Sequence, residues 1–125
     1  MTSTSALDLA KRLFAAITAG DVDAVRAMYA PDAIIWHNND GATQTVDQNL
    51  ATLAWIAGNV KDFRYEDVRC QATDSGFVEQ HITHGITPKG TEFAFPACIV
   101  GTIVDGRITR IDEYLDSAHL AVFAS

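Results

Sequence analysis

Apolar positions along this chain of 125 residues follow two periods, helical in the first half and alternating in the second. Ala6, Leu9, Ala10, Leu13, Phe14 and Ile17 keep the spacing of one helix face, which predicts a helix with Ser5 as its N-cap and Gly20 as its stop. Asp21 caps a second helix that turns Val22, Val25, Met28 and Tyr29 inward and ends before Pro31. The β-branched and aromatic run Ala33 to Asn38 reads as a first strand, closed by the turn Asn39-Asp40-Gly41. Thr45 then caps a third helix with Val46, Leu50, Leu53, Ala54 and Ala57 on one stripe and Gly58 past its end.

Beyond that helix the period changes to two. Strands are predicted at about 62–72, 77–87, 91–104 and 107–115, separated by Asp74-Ser75-Gly76, Pro88-Lys89-Gly90 and Asp105-Gly106, which reads as antiparallel hairpins in series. Asp116 is placed to cap a short closing helix through Phe123. The third of these strands is apolar on both faces, with Phe93, Phe95, Ala97 and Ile99 on one and Ala94, Pro96, Cys98 and Val100 on the other. A central strand covered on both sides is implied, one face by helices and the other by a second subunit, so a homodimer through the sheet face is expected. Pro96 has no N–H for a ladder, which predicts a bulge or a local edge there.

Two of the strands carry one ionisable group each between aliphatic neighbours of the same face: Ile82, His84, Ile86 and Ile111, Glu113, Leu115. An imidazole and a carboxylate pointing into an apolar interior is the sequence signature of a pocket with acid–base chemistry. Desolvation disfavours the charged carboxyl and pushes it toward use as a proton acceptor near neutral pH. A nearby histidine accepts or returns a proton, and an amide such as Asn38 stabilises an enolate oxygen. This set supports proton abstraction beside a carbonyl, followed by reprotonation or ring closure. A blander reading has Glu113 at a strand end reaching water and His84 satisfying a core hydrogen bond. On the same alternation His37 faces away from Trp36, as a surface or interface residue, and Asp112 and Tyr114 lie opposite Glu113. A slip of one residue would exchange Glu113 for Asp112.

Composition narrows the partners. With 48% hydrophobic and 20% charged residues the chain reads as one ordinary globular domain. A net charge of -7 with scattered Lys and Arg argues against nucleic acid and anionic membrane surfaces. The N-terminal segment lacks a basic start followed by an apolar stretch, and no run approaches the roughly 20 apolar residues of a membrane span, so a cytoplasmic protein is expected. Cys70 and Cys98 lack Cys-x-x-Cys spacing and are expected as free thiols. His81 and His84, three apart on a strand, point to opposite faces and make no local metal pair. There is no phosphate loop, nucleophile elbow or dinucleotide fingerprint, and no cofactor is expected.

The order helix pair, strand, helix, curled four-strand sheet and short helix, with the segments RLFAAITAGDVDAVRAMYAPDAIIWH and VDGRITRIDEYLD, resembles the nuclear transport factor 2-like superfamily over nearly the whole chain. Within it the chain looks nearest to the SnoaL-like group, which includes polyketide cyclases and is related to limonene epoxide hydrolases and ketosteroid isomerases. The resemblance implies one α+β domain over residues 1–125, a cone-shaped curled antiparallel sheet wrapped around the N-terminal helices, with a deep apolar cavity. From the epoxide-hydrolase branch it implies an aromatic and amide pair at Trp36 and Asn38. The same branch's arginine and aspartate of a middle strand fall at Ile82 and His84, and its second aspartate at Glu113. The missing arginine speaks against epoxide hydrolysis. The isomerase branch's general base falls near His37 or Asn38, neither a carboxylate, whereas the cyclase branch uses an acid on the last strand, as Glu113 would be.

The resulting expectation is a cofactor-independent enzyme of isomerase, cyclase or lyase type, acting on a small hydrophobic, carbonyl-containing metabolite. Glu113 would be the base, His84 would tune or relay its proton, and Asn38 would hold the substrate oxygen. Tyr29, Trp36, Ile82, Phe95 and Ile99 would form the pocket walls. The alternative is a non-catalytic module of the same fold that binds a small ligand or dimerises.

Overall fold

Caps and turn residues set most element boundaries of the structure, a computed structural model that describes residues 3–124. Residues 1, 2 and 125, at the ends of the expected domain, lie outside the described residues. The order is α1 (Ser3–Ala19), α2 (Val22–Met28), β1 (Tyr29–His37), β2 (Thr43–Gln44), α3 (Val46–Asn59), β3 (Lys61–Thr73), β4 (Gly76–Ile86), β5 (Glu92–Val104), β6 (Arg107–Leu115) and a closing 3₁₀ helix (Ser117–Phe123). Gly20, at φ 73°, turns the chain out of α1. The Asp21 carboxylate accepts the Ala24 N–H at the start of α2, and Asp116 accepts the Ala118 N–H at the start of the 3₁₀ helix. Thr45 and Gln48 form a reciprocal capping box on α3.

Several boundaries differ from the sequence expectation. Helix α1 is already formed at Ser3, so Ser5 lies within it and is not its cap. Gly58 lies inside the last turn of α3, whose C-cap is the extended Val60. Tyr29 opens β1, which therefore starts before Ala33 and ends at His37, with Asn38 outside it. The short strand β2 has no counterpart in the prediction, because two residues carry no readable period.

The six strands form one sheet in the order β2-β1-β6-β5-β4-β3. The hairpin series β3 to β6 is antiparallel as expected, β2 pairs antiparallel with β1, and the sheet as a whole is mixed because β1 runs parallel to β6. The reason is the path. After α3 the chain lays β3 at the far edge and returns by three hairpins, so β6 arrives beside β1 in the same direction. Pro31 falls where the β1–β6 register shifts, between Tyr29 and Ile34, where a missing N–H breaks no ladder bond. Pro96 pairs with Ile82 in unbroken register, and β6 begins pairing with β5 only at Ala97, so Pro96 sits at a local edge without a bulge. The bulges lie elsewhere. Strand β3 shifts register between Lys61 and Arg64 and again between Glu66 and Arg69, with Asp62 and Asp67 at φ 54° and 53°. Extra residues there bend the strand and deepen the curl of the sheet.

The helices cover one face of the sheet, α1 against β3 and β4 and α3 against β1 and β3. Leu9, Leu13, Val25, Ile35, Leu50, Phe77, Ile99, Ile108 and Ile111 are buried in the core between them. The inner row of β4 is Phe77, Glu79, His81 and Thr83, all buried. On β1 it is Ile35 and His37, on β5 Phe95, Ala97 and Ile99, and on β6 Ile111 and Glu113. Cys70 and Cys98 are free.

Candidate active site

Parallel pairing of β1 with β6 sets His37 directly beside Glu113, so both side chains leave the sheet on its inner face. His37 Nε2 lies 2.9 Å from Glu113 Oε1, and the side chains keep 26% and 23% of their surface exposed, so neither is sealed in the core. The imidazole pKa is raised from 6.5, chiefly by its hydrogen bond to Glu113. Desolvation opposes the rise, and the charges of Glu113 and Asp40 add to it.

The dyad stands at the seam of two adjacent chambers that share part of their walls. The outer one, about 280 Å³, has Phe63, Phe93, Phe95, Leu115 and Leu120 among its walls. The inner recess, about 70 Å³, reaches Leu13, Ile35, Ile99 and Ile111. His37, Asn49, Leu53, Tyr65 and Glu113 line both. A pocket at the low end of the roughly 300–1,000 Å³ typical of ligand sites suits a compact ligand. Among the described residues no Lys or Arg lines either chamber.

Two phenols flank the dyad. Tyr29 is buried and donates its hydroxyl to Asn49 Oδ1 at 3.0 Å, and Asn49 Nδ2 reaches Gln44 Oε1 at 3.4 Å. The pKa of Tyr29 is raised by burial first and by the charge of Glu113 second. Tyr65 is pushed well above the ordinary phenol value, again mainly by burial and then by Glu113. Both therefore remain hydroxyl donors across the physiological range.

The sequence-predicted residues divide by strand face. Glu113, Tyr29, Phe95 and Ile99 lie on the inner side and border the chambers. His84, Ile82, Trp36 and Asn38 do not. His84 is on the outer face of β4, its Nε2 2.6 Å from Glu66 and its Nδ1 3.5 Å from Arg64, with the whole of β5 between its strand and that of Glu113. Ile82 shares that outer face and borders a hollow of about 720 Å³ together with Pro96, Cys98 and Tyr114. Trp36 packs edge-on against Tyr114, ring centroids 5.2 Å apart, and donates its indole N–H to the Gly41 carbonyl. Asn38 is tied to the β6 backbone: its N–H donates to the Glu113 carbonyl at 3.0 Å and its Oδ1 accepts the Leu115 N–H at 2.9 Å.

For Asn38 the reason is that it lies beyond the end of β1, held to the β6 backbone; for the other three it is the face of the strand. Strand residues alternate, and choosing the wrong parity moves every side chain of a strand to the other face. His37, expected at a surface or interface, is the correction on β1. Tyr65 and Asn49 were not singled out from the sequence, although the Phe63, Tyr65 alternation on β3 is the kind of signal that marks an inward aromatic row.

Among the described residues no group of three or more His, Cys, Asp or Glu is placed to hold a metal ion. No described helix is long and apolar enough to cross a membrane.

Comparison with known proteins adds the family context. The profile of the SnoaL-like domain matches residues 10–111. A candidate polyketide cyclase from Xanthomonas campestris pv. campestris superposes with a TM-score of 0.86 at 20% identity, covering 98% of each chain. An NTF2-like protein from Burkholderia xenovorans gives 0.85 at 21% identity over 100% of this chain and 99% of its own. An LEH-like epoxide hydrolase from M. tuberculosis gives 0.79 at 21% identity over 95% of this chain and 88% of its own. At such identities the likeness establishes the fold. No curated protein matches the chain.

Proposed function

The chain belongs to the SnoaL-like domain family, and from that premise we propose that it is a cofactor-independent acid–base enzyme acting on a small hydrophobic carbonyl compound. The His37–Glu113 pair, 2.9 Å apart at the seam of two largely apolar chambers, carries this reading. His37 engages Oε1 of Glu113, which leaves the second carboxylate oxygen to take a proton from a carbon next to the ligand carbonyl. The electron pair of that C–H bond moves onto the carbonyl oxygen, and the Tyr65 hydroxyl donates a hydrogen bond to the oxyanion so formed. Return of the proton at a different carbon is an isomerisation. Attack of the enolate carbon on a second carbonyl of the same molecule closes a ring, and the proton passes to the new alkoxide. His37 holds the carboxylate in place and shares the proton through Nε2.

The relatives described as a candidate polyketide cyclase and as an epoxide hydrolase support a small-molecule reaction in such a cavity. Epoxide hydrolysis is the less favoured of the two, since among the described residues no arginine lines the chambers of the dyad. The same reading gives the outer sheet face a second copy of the chain as its partner.

The test is exchange of α-protons from a panel of small cyclic ketones in D₂O, followed by NMR. Glu113→Gln keeps the shape and removes the base, and is expected to slow exchange by roughly 10²–10⁴-fold. Exchange that continues at the wild-type rate in that variant would reject the assignment. Wild-type protein that binds panel members without exchanging them would favour a ligand-binding module.

A further inference from the structure

A second ionisable pair, which the proposed reaction does not use, lies next along the inner row of β4 from Thr83 of the chamber wall. Glu79 and His81 stand two apart on the inner face of β4, each side chain 1% exposed, with His81 Nδ1 2.8 Å from both carboxylate oxygens. His81 Nε2 is the one buried side-chain polar atom without a partner among the described residues. Neither feature favours folding. A well-packed apolar pair of the same volume is commonly as stable as a buried ion pair or more so, and an unpaired buried nitrogen adds a further cost.

The imidazole does something an aliphatic side chain would not. It lies flat on the ring of Tyr65, centroids 3.8 Å apart and planes 14° from parallel. Phe14 meets both rings edge-on, at 5.8 Å from His81 and 5.9 Å from Tyr65. The carboxylate grips Nδ1 with two oxygens and so fixes the imidazole plane, and the stack passes that plane to Tyr65. Tyr65 in turn lines both chambers beside Glu113.

We propose that Glu79 and His81 are positioning residues that hold the Tyr65 ring so that its hydroxyl meets a ligand oxygen in the chamber. The proposal rests on the reading above for the place of Tyr65 in the site. It needs no turnover to be tested.

Two probes of nearly the same shape isolate the hydroxyl contact: 2-naphthol and naphthalene, with affinities measured by fluorescence or calorimetry. Wild-type protein is expected to prefer 2-naphthol by about tenfold, the scale of one well-made hydrogen bond. Tyr65→Phe should abolish that preference. The double variant Glu79→Met, His81→Phe keeps volume and stacking but removes the grip. It should also abolish the preference while leaving naphthalene affinity unchanged, and should add nothing in the Tyr65→Phe background. Glu79→Gln, whose amide oxygen still accepts from Nδ1, should retain most of the preference and serves if the double variant does not fold.

A double variant that keeps the preference overturns the proposal, as does equal loss of both probes, which would mean packing alone. Absence of a preference in wild-type protein, or its loss in Glu79→Gln, also overturns it. If Tyr65→Phe itself keeps the preference, the role of Tyr65 in the proposed reaction fails too. If only the pair variant keeps it, the reaction stands and the positioning role falls.

Discussion

His37 joins the candidate chemistry to the stability of the fold. Its pKa is raised above 6.5 by the hydrogen bond to Glu113 first, with the charges of Glu113 and Asp40 adding to this against desolvation. A raised value means that the folded protein holds the proton more tightly than the unfolded chain does. The resulting stabilisation is complete below about pH 6.5 and is lost as pH rises through the raised value. His37→Gln is therefore expected to destabilise most in mild acid and least in mild alkali. The difference should be on the order of 1 kcal/mol or less, because both side chains are partly solvated. Urea midpoints for both proteins over a pH series check this, and a gap that widens with rising pH contradicts the assignment. At this scale the sequence revealed half of the dyad. Glu113 stands out between Ile111 and Leu115, whereas His37 alternates with the bulkier Trp36, which hydrophobicity alone would turn inward. The outer face takes Trp36 instead, against Tyr114.

Between elements, close approach of strands replaces side-chain bulk at one point of the core. Phe77, fully buried, pairs across the β4–β5 ladder with Gly101, and a Cβ on Gly101 would stand 2.3 Å from two of its ring atoms. Gly101→Ala is thus expected to displace the Phe77 ring and to cost about 1–3 kcal/mol. The urea midpoint should fall with an unchanged m-value, and a midpoint equal to wild type would show that the ring has room to give. Element order was legible because its punctuation is chemical: Asp21 and Thr45 cap helices, and Asp105-Gly106, at φ 52° and 78°, makes the tight turn between β5 and β6. Strand faces were not legible in β1 and β4, because both faces of this sheet are apolar enough to pass for a core. Ile82 and His84 look inward only if Glu79 and His81 look outward, and a paired carboxylate and imidazole buried against α1 is the arrangement hydrophobic patterning disfavours. The parallel β1–β6 pairing, which creates the dyad, depends on the path of the whole chain and leaves no local mark.

For the molecule as a whole, the proposed partner has its place on the apolar outer face. A hollow of about 720 Å³ there is bordered by Val68, Ile82, Pro96, Cys98 and Tyr114, with Asp67, Arg69 and Asp116 at its margin. Val68 and Tyr114 are 55% and 46% exposed, large apolar surface left open in the single chain. The proposed occupant is a second copy, because Asp67, Asp116 and Arg69 border the same apolar patch and a twofold interface sets that patch, with both signs of charge, against itself. Sedimentation velocity over a range of concentrations should show a dimer for the wild-type chain. Tyr114→Glu, which places a charge in the apolar centre, should shift it to monomer. A wild-type chain that stays monomeric at the highest concentration would remove this partner. The dyad opens on the opposite face of the sheet, so a monomeric Tyr114→Glu variant is expected to keep the ketone exchange rate of wild type. Loss of exchange together with the dimer would mean that the chamber depends on the second copy for its shape.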